Sequence, residues 1–478
     1  MRKALLWLMA GLVITMALPA VMADDSQVAS GDKKFEVTGE FRVRYDRLDN
    51  YFDANSDTRD LFSMFPYRAL LGVSGNLAKD IQVVLQVQGF GSFGNQSPAQ
   101  STAYPPFQDF DGDGSVGGMR RSEVAVYQAY AKFKNLGGSD VDLTVGRQEF
   151  AFGTGLILGN ESFYNGTAFD GLRASWAPKN SAFDLQAIYF KINERQDPAN
   201  LFSVTPVGTT AAASTFTSAD ADLYGIVAGY NLASPLKSRL EGYILRYTDH
   251  SPTTLKPDFW TYGAHWWRTV HTMDDAKDLP FDWNAEIAMQ DGTAHDDATD
   301  ENLKLKNGYI FNAGFGYNLA TSSLLHRFYG TYLYQSGDKN LSDNKIEGWI
   351  PLYGEIHGLY GNADWFGASY AQNEASIQAY TLGYTLTTAN GKHAVGARYW
   401  WFEPVESKLK VSDGEGGTVD LKVKSYGTEL DLGYDYNYSK NATFSGGLAM
   451  FKPGDGVTGQ NNPQDTITRF WVQTRVRF

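Results

Sequence analysis

The chain contains no cysteine in 478 residues. This absence excludes a disulfide framework and any metal site built from thiolates. It suits an exported protein, because stray thiols mispair in an oxidising compartment. Basic residues are outnumbered, since 41 Lys and Arg against 54 Asp and Glu give a formal net charge of −13. A chain with this balance is not expected to bind nucleic acid.

Long apolar runs are also missing, except at the start, MRKALLWLMAGLVITMALPAVMADD. There Arg2 and Lys3 precede an apolar stretch of roughly 15 residues, and small side chains precede a cleavage point after Ala23. The pattern predicts a secretory signal peptide over residues 1–23. An N-terminal membrane anchor is the alternative, but the stretch is short for one and Pro19 interrupts it.

Catalytic motifs are a third absence. The seven His residues show no zinc-site spacing such as H-E-x-x-H, and no G-x-S-x-G occurs. The sequence therefore predicts that the protein is not an enzyme. An outer-membrane hydrolase with a Ser/His or Asp/His pair at a barrel rim stays a minor alternative, because barrel topology brings together residues that are distant in sequence.

The dominant pattern that is present is a two-residue period of apolar and polar side chains. In residues 35–46, for example, Phe41 and Val43 alternate with Arg42 and Arg44. A membrane-spanning barrel strand needs about 9–11 residues of this kind, apolar toward lipid and polar toward water. The predicted strands are 35–46, 66–75, 81–90, 124–134, 140–149, 168–177, 182–192, 221–231, 238–248, 258–268, 281–290, 308–318, 326–336, 376–386, 393–402, 426–436, 442–451 and 468–478.

The connections between these strands alternate between long and short, with only 249–257 and 269–280 breaking the rhythm. Long loops on one side and short turns on the other are typical of outer-membrane barrels. A soluble propeller or sandwich is the alternative, but no repeat of about 40–50 residues is present. We therefore predict an all-β transmembrane outer-membrane β-barrel of about 18 antiparallel strands over 24–478. The long loops 91–123 and 337–375 are expected to fold inward and set selectivity.

Arginine recurs on the face of the strands that is predicted to line the lumen. The final strand shows this most clearly, because DTITRFWVQTRVRF places three arginines opposite its apolar residues. The predicted lumen arginines are Arg42, Arg44, Arg68, Arg173, Arg398, Arg469, Arg475 and Arg477. Such a lining favours anionic solutes. The alternative is structural pairing with acids of the same face, which are Glu36, Glu40, Asp282, Glu286, Glu429, Asp431 and Asp435.

One segment, DFDGDGSVGGMRR, matches half of a calcium-binding loop. Asp109, Asp111 and Asp113 hold ligand positions, and Ser115 holds the carbonyl position. The twelfth position is Arg120, where a bidentate Glu is expected. The segment is therefore either a structural calcium site or an acidic extracellular loop without a metal, and no other cofactor is predicted.

Five segments resemble motifs of the outer-membrane alginate export family, in the same order along the chain. They are VDLTVGRQEFAFGTGLILG (141–159), FDGLRASW (169–176), WIPLYGEIHGLYGNADWF (349–366), GTELDLGYDY (427–436) and GGLAMFKPGD (446–455). The resemblance implies an 18-stranded barrel with an arginine-rich lumen that moves alginate outward. By position in the G-R-Q motif it adds Arg147 to the lumen arginines, although strand parity alone places Arg147 outside.

The expected function is therefore passive passage of anionic saccharides through the outer membrane of a Gram-negative bacterium, as in alginate-like polysaccharide export. A general or substrate-specific diffusion porin for small-molecule uptake is the alternative. The expected partners are outer-membrane lipid and lipopolysaccharide, the barrel assembly machinery, periplasmic export partners and the transported solute.

The calcium hypothesis predicts that the protein binds Ca²⁺ and that Asp111→Ala abolishes this binding, because the loop loses one of its carboxylate ligands. Isothermal calorimetry measures the effect directly. Unchanged binding in the variant would eliminate the site.

Overall fold

The computed structural model describes residues 35–51, 54–57, 61–93, 123–160, 162–195, 219–250, 255–297, 300–355, 357–365, 375–412, 417–422, 424–454 and 464–478. The predicted signal peptide over 1–23 lies outside the described residues. The calcium candidates Asp109, Asp111, Asp113 and Ser115 lie outside them as well, so both remain predictions.

The chain forms a closed antiparallel barrel of 18 strands, as the sequence predicts. The strands before the last third of the chain are β1 (Phe35–Asp49), β2 (Phe62–Asn76), β3 (Ile81–Phe93), β4 (Glu123–Phe133), β5 (Val141–Gln148), β6 (Phe169–Trp176), β7 (Phe183–Arg195), β8 (Ala219–Leu232), β9 (Ser238–Asp249), β10 (Leu255–Arg268), β11 (Phe281–Asp296), β12 (Glu301–Ala320) and β13 (Leu324–Gln335).

The remaining strands include three short ones that are not part of the barrel wall. After a two-residue strand β14 (Lys345–Ile346), the wall continues with β15 (Ile377–Thr388) and β16 (His393–Pro404). A small hairpin of β17 (Lys408–Ser412) and β18 (Thr418–Lys422) follows. The wall ends with β19 (Gly427–Asn437), β20 (Ala442–Pro453) and β21 (Ile467–Arg477).

Closure comes from antiparallel pairing of the first strand with the last. Phe41 lies opposite Val476, and Arg42 lies opposite Arg475. Pairing around a closed wall satisfies the backbone N–H and C=O groups that lipid cannot solvate. The barrel has one end with long connections, which we call the long-connection end. Its other end, with the turns and both termini of the wall, is called the short-turn end.

The two faces of the wall differ as the alternation predicts. Many outward side chains are apolar and exposed, whereas many of their neighbours on the same strands are polar and buried. On β1, Phe41 is exposed while Arg42 and Arg44 are buried. Exposed outward side chains on other strands include Leu71, Leu85, Ile287, Phe315, Leu382, Leu432 and Val472. The outer face is therefore suited to lipid and the inner face to water.

Two departures from the predicted strand boundaries have structural causes. β11 and β12 continue their pairing beyond residues 290 and 308, across a bulge between Gln290 and Gly292, so the predicted loop is largely a protruding hairpin. The unusual connection 269–280 contains a short helix, Met273–Asp278, whose N-terminus is capped by Thr272. Among the described residues, no helix is long and apolar enough to cross a membrane.

The outward assignment predicts a large penalty for Leu382→Arg, because an arginine in contact with lipid near mid-membrane costs roughly 2–4 kcal/mol. Urea-induced unfolding from lipid vesicles would measure this loss, and Leu382→Met is the matched control. Equal unfolding free energies for the two variants would contradict the assignment.

Candidate functional site

Two connections from the long-connection end fold into the barrel. We call residues 149–168 the first inner loop and residues 336–365 the second inner loop. The first inner loop is apolar for a connection between barrel strands. Its buried side chains are Phe150, Phe152, Leu156, Ile157 and Leu158.

The apolar part of the first inner loop packs against the inner wall. The ring of Phe150 lies 5.5 Å from that of Phe190 on β7, between ring centroids. The ring of Phe152 lies 4.6 Å from that of Tyr243 on β9. The loop thereby buries its apolar surface against an apolar section of the inner wall that includes Ile188, Leu223 and Leu245, and this burial favours its inward position.

Two carboxylates of the wall hold the tip of the first inner loop. Glu241 accepts a hydrogen bond from the Gly153 N–H at 3.1 Å, and Glu286 accepts one from the Thr154 hydroxyl at 2.6 Å. Gly153 has a positive φ of 60°, and a Cβ there would lie 2.8 Å from the Glu286 carboxylate. Only glycine allows both this backbone conformation and this approach.

The second inner loop binds both the first inner loop and the wall. The Gly159 N–H donates to the Tyr353 carbonyl at 2.8 Å, and the Glu355 N–H donates to the Gly155 carbonyl at 2.8 Å. Nearer its end, the Asn362 and Ala363 N–H groups donate to Glu429 of β19 at 2.6 and 2.8 Å. The two loops therefore form one hydrogen-bonded unit across the lumen.

A buried ionic junction connects this unit to the first and last strands. Arg469 of β21 is fully buried, lies 3.3 Å from Asp46 of β1 and also contacts Asp364 of the second inner loop. His357 is 2.9 Å from the same Asp364 carboxylate. The His357 ring stacks on Phe163 of the first inner loop at 3.4 Å between centroids.

The charges in this junction keep Asp364 ionised. Burial alone would raise the pKa of the Asp364 carboxyl, but His357, Arg469 and a hydrogen bond from Tyr164 outweigh burial and lower the pKa to about 2. An ionised Asp364 is the partner that the buried guanidinium of Arg469 requires.

Most of the predicted lumen arginines lie on the inner face, and several are paired with carboxylates. Arg44 lies 2.6 Å from Asp46, Arg398 lies 3.4 Å from Asp431, and Arg477 lies 2.8 Å from Glu40. Among the acids, Asp282 also accepts from Arg327 at 2.7 Å. For these side chains the structure favours structural charge pairing over a free anion-binding role.

Three inward arginines form a row without a close carboxylate pairing. Arg42 lies directly opposite Arg68 on β2 and directly opposite Arg475 on β21. Arg42 donates to the carbonyl oxygens of Ser162, at 2.6 Å, and Tyr164, both in the first inner loop. Among the described residues, none accepts a hydrogen bond from Arg475. We call Arg68, Arg42 and Arg475 the arginine row.

Repulsion between the positive charges of the arginine row destabilises the barrel wall. Like charges directly opposite each other on neighbouring strands destabilise a sheet. Arg68 donates to the neutral Gln88 at 2.6 Å, and its nearest carboxylate, Glu40, is 4.0 Å away. Arg173, further around the wall, has a buried Nε–H without a hydrogen-bond partner among the described residues. This excess of positive charge can be relieved by an anion in the lumen.

Arg147 does not line the lumen, so the role carried over from the G-R-Q motif is wrong. β5 keeps its alternation through this position: Thr144 and Gln148 are buried inside, whereas Val145 and Arg147 face outward. Arg147 pairs with Asp170 of β6 at 2.6 Å on the outer face. Strand parity correctly predicts that Arg147 faces outward, whereas the G-R-Q motif does not.

The two inner loops were only partly anticipated from sequence. The prediction that 337–375 folds inward agrees with its described residues. Most of 91–123 lies outside the described residues. The sequence analysis does not predict the inward fold of the first inner loop, although the apolar run FAFGTGLILG in a connection is a usable signal.

In the described part of the chain, no group of His, Asp or Glu side chains is arranged to hold a metal ion.

A closed 18-stranded wall with an apolar exterior and a polar, partly obstructed interior defines an outer-membrane channel. A family model described as alginate export matches residues 34–473. The chain belongs to the alginate export family. A search of curated proteins gave no match.

Solved structures with the same fold are outer-membrane proteins of low sequence identity. OpdK from Pseudomonas aeruginosa has 11% identity and a TM-score of 0.53, covering 93% of this chain and 98% of that chain. OccK9 (OpdG) from the same organism has 12% identity and a TM-score of 0.53, covering 93% and 99%. OccAB2 from Acinetobacter baumannii has 14% identity and a TM-score of 0.51, covering 93% and 98%. At these identities the likeness shows the fold alone.

The junction predicts that Asp364→Asn releases the second inner loop. The substitution leaves Arg469 buried with one fewer charged partner, a loss of about 3 kcal/mol. We expect a larger single-channel conductance in planar bilayers. Asp343→Asn, in the same loop but away from the junction, should behave as the unmodified protein. Identical conductance for both variants would contradict the role of the junction.

Proposed function

We propose that this outer-membrane channel conducts anionic saccharides and that its physiological solute is an alginate-like polyuronate moving outward. The observation that carries the proposal is the arginine row. Three guanidinium groups lie side by side on the inner side of β2, β1 and β21, although their mutual repulsion opposes this arrangement. Arg42 and Arg68 are buried beside the first inner loop, and Arg475 is partly exposed to the lumen. Membership of the alginate export family supports the same class of solute.

The chemistry of the row fits carboxylates. A guanidinium group keeps its charge at working pH and offers paired N–H donors that match the two oxygens of a carboxylate. Strands are spaced about 4.8 Å apart, so three adjacent positions span about 10 Å of wall. The row therefore concentrates positive charge at one level of the lumen, where it attracts each carboxylate of a passing polyuronate in turn, and weak, repeated contacts of this kind permit movement.

Uptake of small carboxylates is the second candidate, and the inner loops favour it. Both loops occupy lumen space, which narrows the path for a polymer. OpdK of Pseudomonas aeruginosa, which has a similar fold, has been solved with the small molecule vanillate. The same arginine row would serve a single carboxylate. The two candidates differ in the length of solute that the lumen admits.

The fold and the family support a proposed location and proposed partners. We place the protein in the outer membrane of a Gram-negative bacterium, inserted by the barrel assembly machinery and in contact with lipopolysaccharide. Periplasmic export partners belong to the polyuronate candidate only. No catalytic role is proposed, since the family and the related folds are those of channels.

The decisive variant is Arg475→Gln, because it removes one charge from the arginine row without removing a hydrogen bond to an inner loop. We expect the reversal potential in a salt gradient to shift toward cation selectivity, as the lumen loses positive charge. Arg47→Gln is the matched control, since it lies on β1 but faces outward. Equal shifts in the two variants, or none in either, would refute anion passage through the row.

Solutes of graded length separate the two candidates. Block of ionic current by long polyuronates supports export of a polymer, whereas block only by monouronates and other small carboxylates supports uptake. A channel that is indifferent to both classes would remove the proposal as a whole.

A further inference from the structure

The barrel wall has its smallest height at β5 and β6, which are its shortest strands. Each of these strands has 8 residues, whereas the flanking strands β4 and β7 have 11 and 13. The chain leaves the wall early here because the first inner loop begins at residue 149 and turns into the lumen. The outer face of this section therefore has less strand to span the membrane than its neighbours.

The outward ion pair of Arg147 and Asp170 lies on this low section. Arg147 donates through Nε and Nη2 to the two oxygens of Asp170 at 2.7 and 2.6 Å, and through Nη1 to the Val126 carbonyl at 3.1 Å. The side chains of Arg147 and Asp170 are nevertheless 43% and 50% exposed. Both charges therefore face whatever surrounds the barrel.

The height of the pair can be counted along the strand. Trp176, whose ring lies 5.9 Å from that of Phe183, marks the aromatic girdle at the short-turn end. Asp170 is six positions away along β6. Six residues of a strand tilted by about 40° rise roughly 15 Å, less than the roughly 25 Å of the apolar band of such barrels. By this count the pair lies inside the hydrocarbon region of a flat membrane.

Other parts of the wall are apolar at this height. On β15, Leu382 lies six positions from the short-turn end of its strand and is 63% exposed. On β11, Ile287 lies six positions from Phe281 and is also exposed. On the adjacent β4, Val126 and Val124 face outward and are exposed. They lie nearer the long-connection end than the ion pair does. Six positions from the short-turn end, β11 and β15 are thus apolar on the outer face, whereas β5 and β6 carry the ion pair.

Charges of both signs continue from the pair along the outer face. Asp170 lies opposite Lys191 on β7, and Lys191 lies 3.2 Å from Asp222 on β8. On the next two strands, Arg246 and Asp258 are 3.0 Å apart. Hydrocarbon solvates neither sign, whereas a headgroup layer of phosphates, bases and water solvates both. Of the surroundings that a membrane offers, the headgroup layer is the one that can solvate this mixture of positive and negative side chains.

We propose that the polar headgroup layer of the outer leaflet dips toward the barrel at β5 and β6, where phosphate-bearing headgroups and their water contact Arg147 and Asp170. A short apolar span is accommodated by local thinning of the bilayer at modest cost. The first inner loop thus has an effect on both sides of the wall: it obstructs the lumen, and it lowers the lipid boundary outside. The inference does not depend on the transported solute.

Depth-dependent quenching tests the proposal, and the absence of cysteine allows clean single-site labelling. A fluorophore is attached to Val145→Cys, beside the pair on the outer face of β5. Leu382→Cys, on the outer face of β15, is the matched control. Both proteins are reconstituted in phosphatidylcholine vesicles with nitroxide lipids that carry the quencher either at the headgroup or deep in the acyl chain.

We expect the label at position 145 to be quenched more by the headgroup nitroxide, and the label at 382 more by the deep nitroxide. Adding Arg147→Leu and Asp170→Leu to Val145→Cys should reverse the preference at 145, because the headgroups then lose their contacts. Deep quenching at 145 without these changes would overturn the proposal. Protection from both quenchers would overturn it too, since a second copy of the chain would then cover the face.

Discussion

The structure depends on one constraint: a backbone that crosses lipid must pair every N–H and C=O group within the protein. Pairing of β1 with β21 meets this constraint by removing both sheet edges. After closure, one face of each strand is in contact with lipid and the other faces the lumen. Each side chain faces either lipid or lumen, and the two-residue period decides which. The arginines and carboxylates of the inner face are consequences of this division, because hydrocarbon solvates neither charge, and the outward pair of Arg147 and Asp170 is an exception to it.

Inside the barrel, charge has two different uses. Paired charges hold the architecture, as where Arg469 joins Asp46 and Asp364 or where Glu429 accepts from the second inner loop. Charges without such pairing, above all in the arginine row, carry the proposed contact with a solute. The sequence leaves both structural pairing and anion binding open, and the structure shows carboxylate pairing for Arg44, Arg398, Arg469 and Arg477. Anion binding by the other inward arginines stays a proposal. Strand register separates the two groups of arginines, and register cannot be read from a single strand.

Features that depend on local sequence patterns could be predicted, whereas features that depend on contacts between distant residues could not. All 18 strands could be located, because alternation is a local property repeated at each strand. The first inner loop has an apolar run as a local signal, but its packing partners Phe190 and Tyr243 could not be predicted, because they lie on strands that sequence does not bring near residue 150. The extension of β12 does carry a local signal, because Leu303 and Leu305 alternate with Lys304 and Lys306. The predicted boundary at residue 308 did not use it.

The position of Arg469 on the last strand has a consequence for biogenesis. The second inner loop is synthesised before β21, and the first inner loop earlier still, yet the junction that fixes both requires Arg469 and Asp46 from the two strands that close the wall. The obstruction of the lumen is therefore completed only when the wall is complete. Before the last strand closes the wall, contacts with β7, β9 and β11 are available to the first inner loop, but the ionic junction that joins both inner loops to β1 and β21 is absent.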